Sequence, residues 1–332
     1  MQNKSILYIH LAEGSDNSLC DARKQSDESY YPEGIVSGDE KRNGAIYCKG
    51  SIVLSGKGIL KLTGQKKHGI SVKSSFTLRP GATLAVNDVA DNCIKAEGIN
   101  ILGGYIWAKT SADAGKCLSS DADVNIKGGM MKLYTSGGSI YEEDEKDTSS
   151  PAGIKADGNM MVSGGEMLCV STGEGFDCDF SQNFIVKGGI LIGTGGAAIA
   201  PSSASTQRSV TYNGVSARTG EFFVITGPDG NPILRYKLPR TISRMAVFFS
   251  SEDIRSGETY TVWSGGSLSG NSVNWNGWFE DGTYTAGTEL GTFTSNSLNT
   301  TVGQSGGPGG PGGPGGAGGP GGPGRPGGGP GW

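Results

Sequence analysis

Four carboxylates recur at matching places along the chain, Glu97, Asp121, Asp157 and Asp179, with intervals of 24, 36 and 22 residues. Lys49 and Lys73 precede them in the same series. A parallel series two residues earlier reads Tyr47, Ser71, Lys95, Ser119, Lys155, Asp177. If each series forms a column of stacked strands, its members lie about 4.8 Å apart. Two unit charges at that spacing repel by about 1 kcal/mol in water and about 3.5 kcal/mol at an effective dielectric of 20. Calcium, which takes six to eight oxygen ligands, relieves such repulsion. The expected ligand set is Glu97, Asp121, Asp157, Glu174, Asp177 and Asp179, densest at the last four. The alternative is that the carboxylates splay into solvent and pair with Lys95 and Lys155, as surface charges commonly do at little gain.

Lys95 and Lys155 beside these carboxylates suggest a face for an anionic sugar chain. The same layout would suit a polysaccharide lyase, in which Lys155 or Lys95 removes a proton while calcium stabilises the resulting carbanion. Each lysine can equally be a solvated strand residue. Trp263, Trp275, Trp278 and Tyr284 fall within one polar stretch, WSGGSLSGNSVNWNGWFEDGTY. They are candidates for stacking on sugar rings, or for the core of a small β module. Cys93 and Cys117 share one position of the series and are expected to be stacked neighbours, either bonded or as free thiols. The chain has no GxxxxGK[ST] phosphate loop and no calcium nonapeptide repeat. With no CxxC pair and two distant histidines, the usual structural zinc spacing is absent too.

The elements that position these residues are strands. Segments GAIYCKG, GISVKSS, CIKAEGI, CLSSDAD, GIKADGN and GFDCDFS begin their apolar alternation at Ile46, Ile70, Ile94, Leu118, Ile154 and Phe176. The spacings are 24, 24, 24, 36 and 22, and the long one holds an acidic insertion at 139–150. A second echo, NILGGYIWAK, NIKGGMMKLY, MVSGGEMLCV and IVKGGILIGT, follows the first. Period-2 alternation punctuated by glycine means short strands, and about 24 residues per repeat accommodates three of them. The fold expected is all-β: a right-handed parallel β-helix over 1–203 whose coils stack to bury their apolar faces. From 204 the period stops. A hairpin about ProAspGlyAsn (228–231) and further strands at Met245–Phe249 and Thr259–Trp263 predict a small antiparallel module over 204–303 that covers an exposed edge.

Glycine numbers 59 of 332 residues, 42 distributed through the body and 17 in the 304–332 tail of Gly-Gly-Pro triplets, which reads as a disordered spacer. A collagen-like helix is disfavoured because glycine fills most X positions. The strand at Ile6–Leu11, directly after the first few residues and without a signal peptide, reads as a truncated or trimmed start. A net charge of -4 argues against nucleic-acid binding through phosphate neutralisation. No apolar run is long enough for a transmembrane helix.

GIKADGNMMVSGGEMLCVSTGEGFDCD (153–179), with GGAAIAPSSASTQRSVTYN and SGETYTVWSGG further on, resembles the clostridial-type carbohydrate-binding β-helix family over about 1–303. The resemblance implies a secreted or cell-surface, calcium-containing parallel β-helix similar to pectate lyases. It also implies a binder of acidic polysaccharide such as polygalacturonate rather than a lyase. The family's acidic pattern falls on Glu174, Asp177 and Asp179, with Glu174 where aspartate is more usual. Cys93 and Cys117 depart from the family's glycine at the coil start, and the Gly-Gly-Pro tail is not general. A purely structural surface protein or adhesin is the remaining alternative.

Overall fold

The computed structural model describes residues 5–23, 43–143, 146–180, 183–215, 217–241, 244–271 and 277–303. The expected tail, Trp275 and most of the irregular stretch after the second strand lie outside the described residues. Among the described residues every regular element of any length is a strand. Most belong to one curled sheet whose strands pair in parallel with their counterparts one repeat away.

The repeat dictates the pairing. Ile46 lies opposite Ile70, Ile70 opposite Ile94, Ile94 opposite Leu118, Leu118 opposite Ile154 and Ile154 opposite Phe176. This first ladder runs from Gly44–Cys48 to Glu174–Cys178. A second ladder begins at Ile6–Leu11 against Ser51–Gly56 and continues to the start of Phe184–Gly195. A third begins at Asp16–Asp21 against Ile59–Gly64 and passes through Tyr105–Thr110 and Met130–Thr135. Inside the curl, stacked Ile70, Ile94, Leu118 and Ile154 meet Ile106, Met131 and Val162 in one core. A slip of one residue would turn each of these side chains to the outside, so burial holds the register.

Turns between the second and third ladders use a row of glycines, of which Gly129 and Gly165 both have φ +92°. A Cβ on Gly165 would lie 2.8 Å from the carbonyl oxygen of Gly129 in the rung beside it. Backbone handedness and close stacking therefore both require glycine there. The acidic insertion folds into a hairpin of Ile140–Glu142 against Asp147–Ser149 that leaves the repeat on either side in register.

After residue 204 the chain both continues the large sheet and departs from it. Met245–Ser250 pairs antiparallel with Leu191–Gly195 and with Ser209–Val215, so the last rung of the parallel stack is covered. Phe248 on this strand enters the first core, with its ring 5.6 Å from Phe176 and 5.8 Å from Phe184. The strands Phe222–Thr226 and Pro232–Lys237 form the hairpin expected around 228–231. With Thr259–Ser264 and Thr288–Thr294 they make a four-stranded antiparallel sheet. Its apolar face packs in a second core against Leu168, Val170 and Ile192, which point outward from the third ladder.

Phe248 closes the end of the first core, and Phe248→Ala is expected to cost about 3–5 kcal/mol. The shift of the urea midpoint at constant slope measures it. A loss below about 1 kcal/mol would show that something else closes this end.

Candidate functional site

The first ladder aligns the two expected columns. Ser71, Lys95, Ser119, Lys155 and Asp177 are register partners in that order, and Tyr47 precedes Ser71. The lysines reach sideways into the carboxylate column. Lys95 Nζ donates to Asp121 Oδ1 and, at 3.3 Å, to Ser119 Oγ. Lys155 Nζ donates to Asp179 Oδ1 and lies 3.3 Å from Asp157 Oδ1 and 3.9 Å from Asp177 Oδ1. Burial works against the charge on Lys155, but Asp177, Asp179 and Asp157 outweigh it and hold its pKa above the ordinary lysine value. The alternative in which lysines pair with the carboxylates is therefore the arrangement seen for Asp121, Asp157 and Asp179. Glu97 follows Lys95 and Ala96 on the same strand.

Glu174 and Asp177 are different in kind. Burial and the neighbouring Asp177 charge push the Glu174 carboxyl up to about 7, with Lys155 opposing. Asp177 is raised by burial despite Lys155 and Lys116. Burial lowers the pKa of Lys116, whose Nζ donates to Ser149 Oγ at 2.7 Å and so ties the acidic hairpin to this face. Calcium needs oxygens that are not already held by ammonium groups. Among the described residues no three His, Cys, Asp or Glu side chains are grouped to hold a metal ion. All six cysteines are free thiols, so Cys93 and Cys117 are stacked but unbonded. Cys117 Sγ donates to Ala108 O at 3.3 Å.

Of the expected aromatic residues, Trp263, Trp278 and Tyr284 lie on the antiparallel sheet and its loops, away from the first ladder. Trp263 Nε1 donates to Thr226 Oγ1 at 3.0 Å, and Tyr284 Oη donates to Gly265 O at 2.9 Å. Together they line one shallow hollow with Pro228 and Ala286. Trp278, at 4% exposure, instead packs in the second core, where it presents no face to a sugar.

A further aromatic surface escaped the sequence reading. The outward residues of the third ladder form the columns Tyr105–Met130–Glu166–Ile190, Trp107–Lys132–Leu168–Ile192 and Lys109–Tyr134–Val170–Thr194. The antiparallel sheet covers the last two rungs, half-covers the Met130–Tyr134 rung and leaves the Tyr105–Lys109 rung open. Tyr105 is 44% and Trp107 51% exposed. Lys132 Nζ lies 5.5 Å from the Trp107 ring centre. Lys109 Nζ and Arg240 Cζ lie 5.9 and 4.8 Å from that of Tyr134. Arg240 is fixed by a hydrogen bond from Nη2 to Thr135 O. Trp107, Lys109, Lys132 and Tyr134 line a hollow of about 650 Å³ that contains no carboxylate. The signal was in the alternation of YIWAK and MMKLY, where the apolar inward residues Ile106, Ala108, Met131 and Leu133 leave the aromatic and basic ones outside.

The pKa of Glu174 has a measurable consequence. A carboxyl that binds its proton more tightly in the folded state lowers stability as pH rises from its unfolded value, about 4.5, through about 7. Glu174→Gln removes that loss. Its melting temperature should match the parent below about pH 4 and exceed it above about pH 8. Parallel stability profiles for the two proteins would contradict the burial of this carboxyl.

The family of carbohydrate-binding domain-containing proteins matches residues 1–123 and again 99–198. No curated protein and no solved structure matches the chain. These two matches span more than half of the sequence, and the chain belongs to the family of carbohydrate-binding domain-containing proteins.

Proposed function

We propose that the protein is a non-catalytic binder of acidic polysaccharide, of the polygalacturonate type, and that the Trp107 hollow is where the sugar chain lies. The observation that carries this is the half-exposed Trp107 ring with Lys132 and Lys109 in a hollow without carboxylates. The flat ring supplies a stacking face for the C–H side of a sugar. Lys109 and Lys132 supply charge-assisted hydrogen bonds to uronate groups. Extended sheet surfaces suit a linear chain, since successive rungs repeat every 4.8 Å or so.

The finer features implied by the resemblance belong to this reading. The three ladders are taken as a right-handed β-helix of the clostridial-type, pectate-lyase-like kind, and the binding as taking place outside the cell. Calcium has a place on the Glu97, Asp121, Asp157, Asp179 column and at Glu174 and Asp177. There it would have to displace Lys95 and Lys155 from their ion pairs. Those pairs also weigh against the lyase alternative. A general base must be neutral to accept a proton, and Lys155 is held charged by three carboxylates.

Affinity electrophoresis through polygalacturonate tests the proposal. The parent should be retarded, and Trp107→Ala should weaken binding about tenfold, a loss typical of one stacked ring at an exposed site. Repeating the run with a chelator reads the calcium contribution. Unretarded migration of the parent, with and without calcium, would overturn the proposal. Equal retardation of parent and variant would move the site away from Trp107.

A further inference from the structure

Beyond the Trp107 hollow, a second and deeper groove runs where the parallel stack meets the antiparallel sheet. It consists of two contiguous cavities of about 1000 and about 670 Å³ that share Glu166, Ile190 and Asp253. The floor of the first is the row of corner glycines, including Gly104, Gly129, Gly165 and Gly189. The walls are Tyr105 and Met130 at one end and Phe279 at the other. With no side chains on that floor, the groove is open along several rungs.

Its charge is the reverse of the Trp107 hollow. Glu166, Glu252, Asp253, Glu258 and Glu280 line the two cavities. None of Glu166, Glu252, Glu258 or Glu280 makes an ion pair among the described residues, whereas Asp121 and Asp179 on the first ladder are both paired with lysine. The cations nearby are partly committed. Arg208 donates to Ser295 O, Ser297 O and Ser256 Oγ, and Arg235 donates to Glu280 O. Lys187 and Arg255 are the others in the lining. Glu166 Oε2 is buried and has no hydrogen-bond partner, so this carboxyl has capacity that the protein leaves unused. Glu280 lies near enough for its charge, together with burial, to raise the Glu166 pKa.

We infer that this groove is a second binding site, for a glycan bearing free amines, with Glu166 and Glu280 receiving an ammonium group. A point cation fits less well, because among the described residues no three acidic side chains are grouped to hold a metal ion. Carboxylates distributed along a groove instead match a polymer whose positive charges are distributed too. An ammonium brought into the groove beside Glu166 favours its ionised form. The hydroxyl-rich rings would lie along the glycine floor against Tyr105 and Met130. The choice of a sugar polymer rests on the carbohydrate-binding family, but not on the acidic-polysaccharide reading, which concerns a different face.

Titration calorimetry of the full chain with a glucosamine hexamer, its N-acetylated counterpart and a lysine hexapeptide tests the inference. The glucosamine hexamer should bind at least about tenfold more tightly than the acetylated one, which lacks the charge. The double variant Glu166→Gln, Glu280→Gln should lose that difference, while Trp107→Ala keeps it. Equal affinity for the two hexamers, an unaffected double variant, or a lysine peptide bound as tightly as the glucosamine hexamer would each overturn it. Retarded migration of the double variant in polygalacturonate, equal to the parent's, shows that it is folded. It also separates failure of this site from failure of the Trp107 hollow.

Discussion

In-register stacking of one repeat upon the next is the constraint from which the surface chemistry of this protein follows. The apolar interior fixes it: Ile70, Ile94, Leu118 and Ile154 can all be buried only if equivalent residues lie opposite one another. Once they do, outward residues have no choice of neighbour. Side chains separated by 24 residues in the chain become neighbours about 4.8 Å apart. Like residues then form columns, which is how a short repeated motif becomes an extended surface.

Such columns are electrostatically costly where they carry one sign of charge, and the first ladder offsets the cost with lysine. Lys155 sits among three carboxylates and Lys95 beside one. Partial burial strengthens these contacts while penalising any carboxyl that lacks a full share of positive charge. Glu174 is that residue, and its proton affinity rises accordingly. The acidic hairpin adds to the burial through the contact of Ser149 with Lys116. Along this ladder Lys95 and Lys155 thus form an ion-pair network with an unusual carboxyl at one end.

The third ladder shows how a covering module divides a repeated face. Its later rungs carry Leu168, Val170 and Ile192, and the antiparallel sheet packs over them. Its earlier rungs carry exposed Trp107 and Lys109 and half-buried Lys132 and Tyr134 at equivalent places. The same column changes from exposed aromatic and basic to buried aliphatic within two rungs. On one flank of the covered region lies the basic hollow and on the other the acidic groove, so the module borders both. Phe248 shows its other task, closing the end of the core that the parallel rungs cannot close themselves.

Much of the architecture was legible because the repeat is periodic in two senses at once. Alternation marks the strands, and the 24-residue spacing marks which strands lie together; the columns through Lys95, Lys155 and Asp177 are found where that spacing places them. Period and alternation say nothing about where a side chain's end will go. Lysine's long stem let Lys155 reach Asp179 in the next rung, and no spacing argument distinguishes that from a carboxylate ladder left for a metal. Trp278 and Trp107 differ in the same way. One packs in the core of the antiparallel sheet and the other stands on an open rung beyond it. The sequence by itself determined the strands, their partners and the residue types in each outward column, because local alternation and burial of the repeat are properties of the chain. Only the tertiary structure decided which parts of those columns stay in contact with solvent and which carboxylates find a cation. Both depend on distances between elements that share no local sequence pattern.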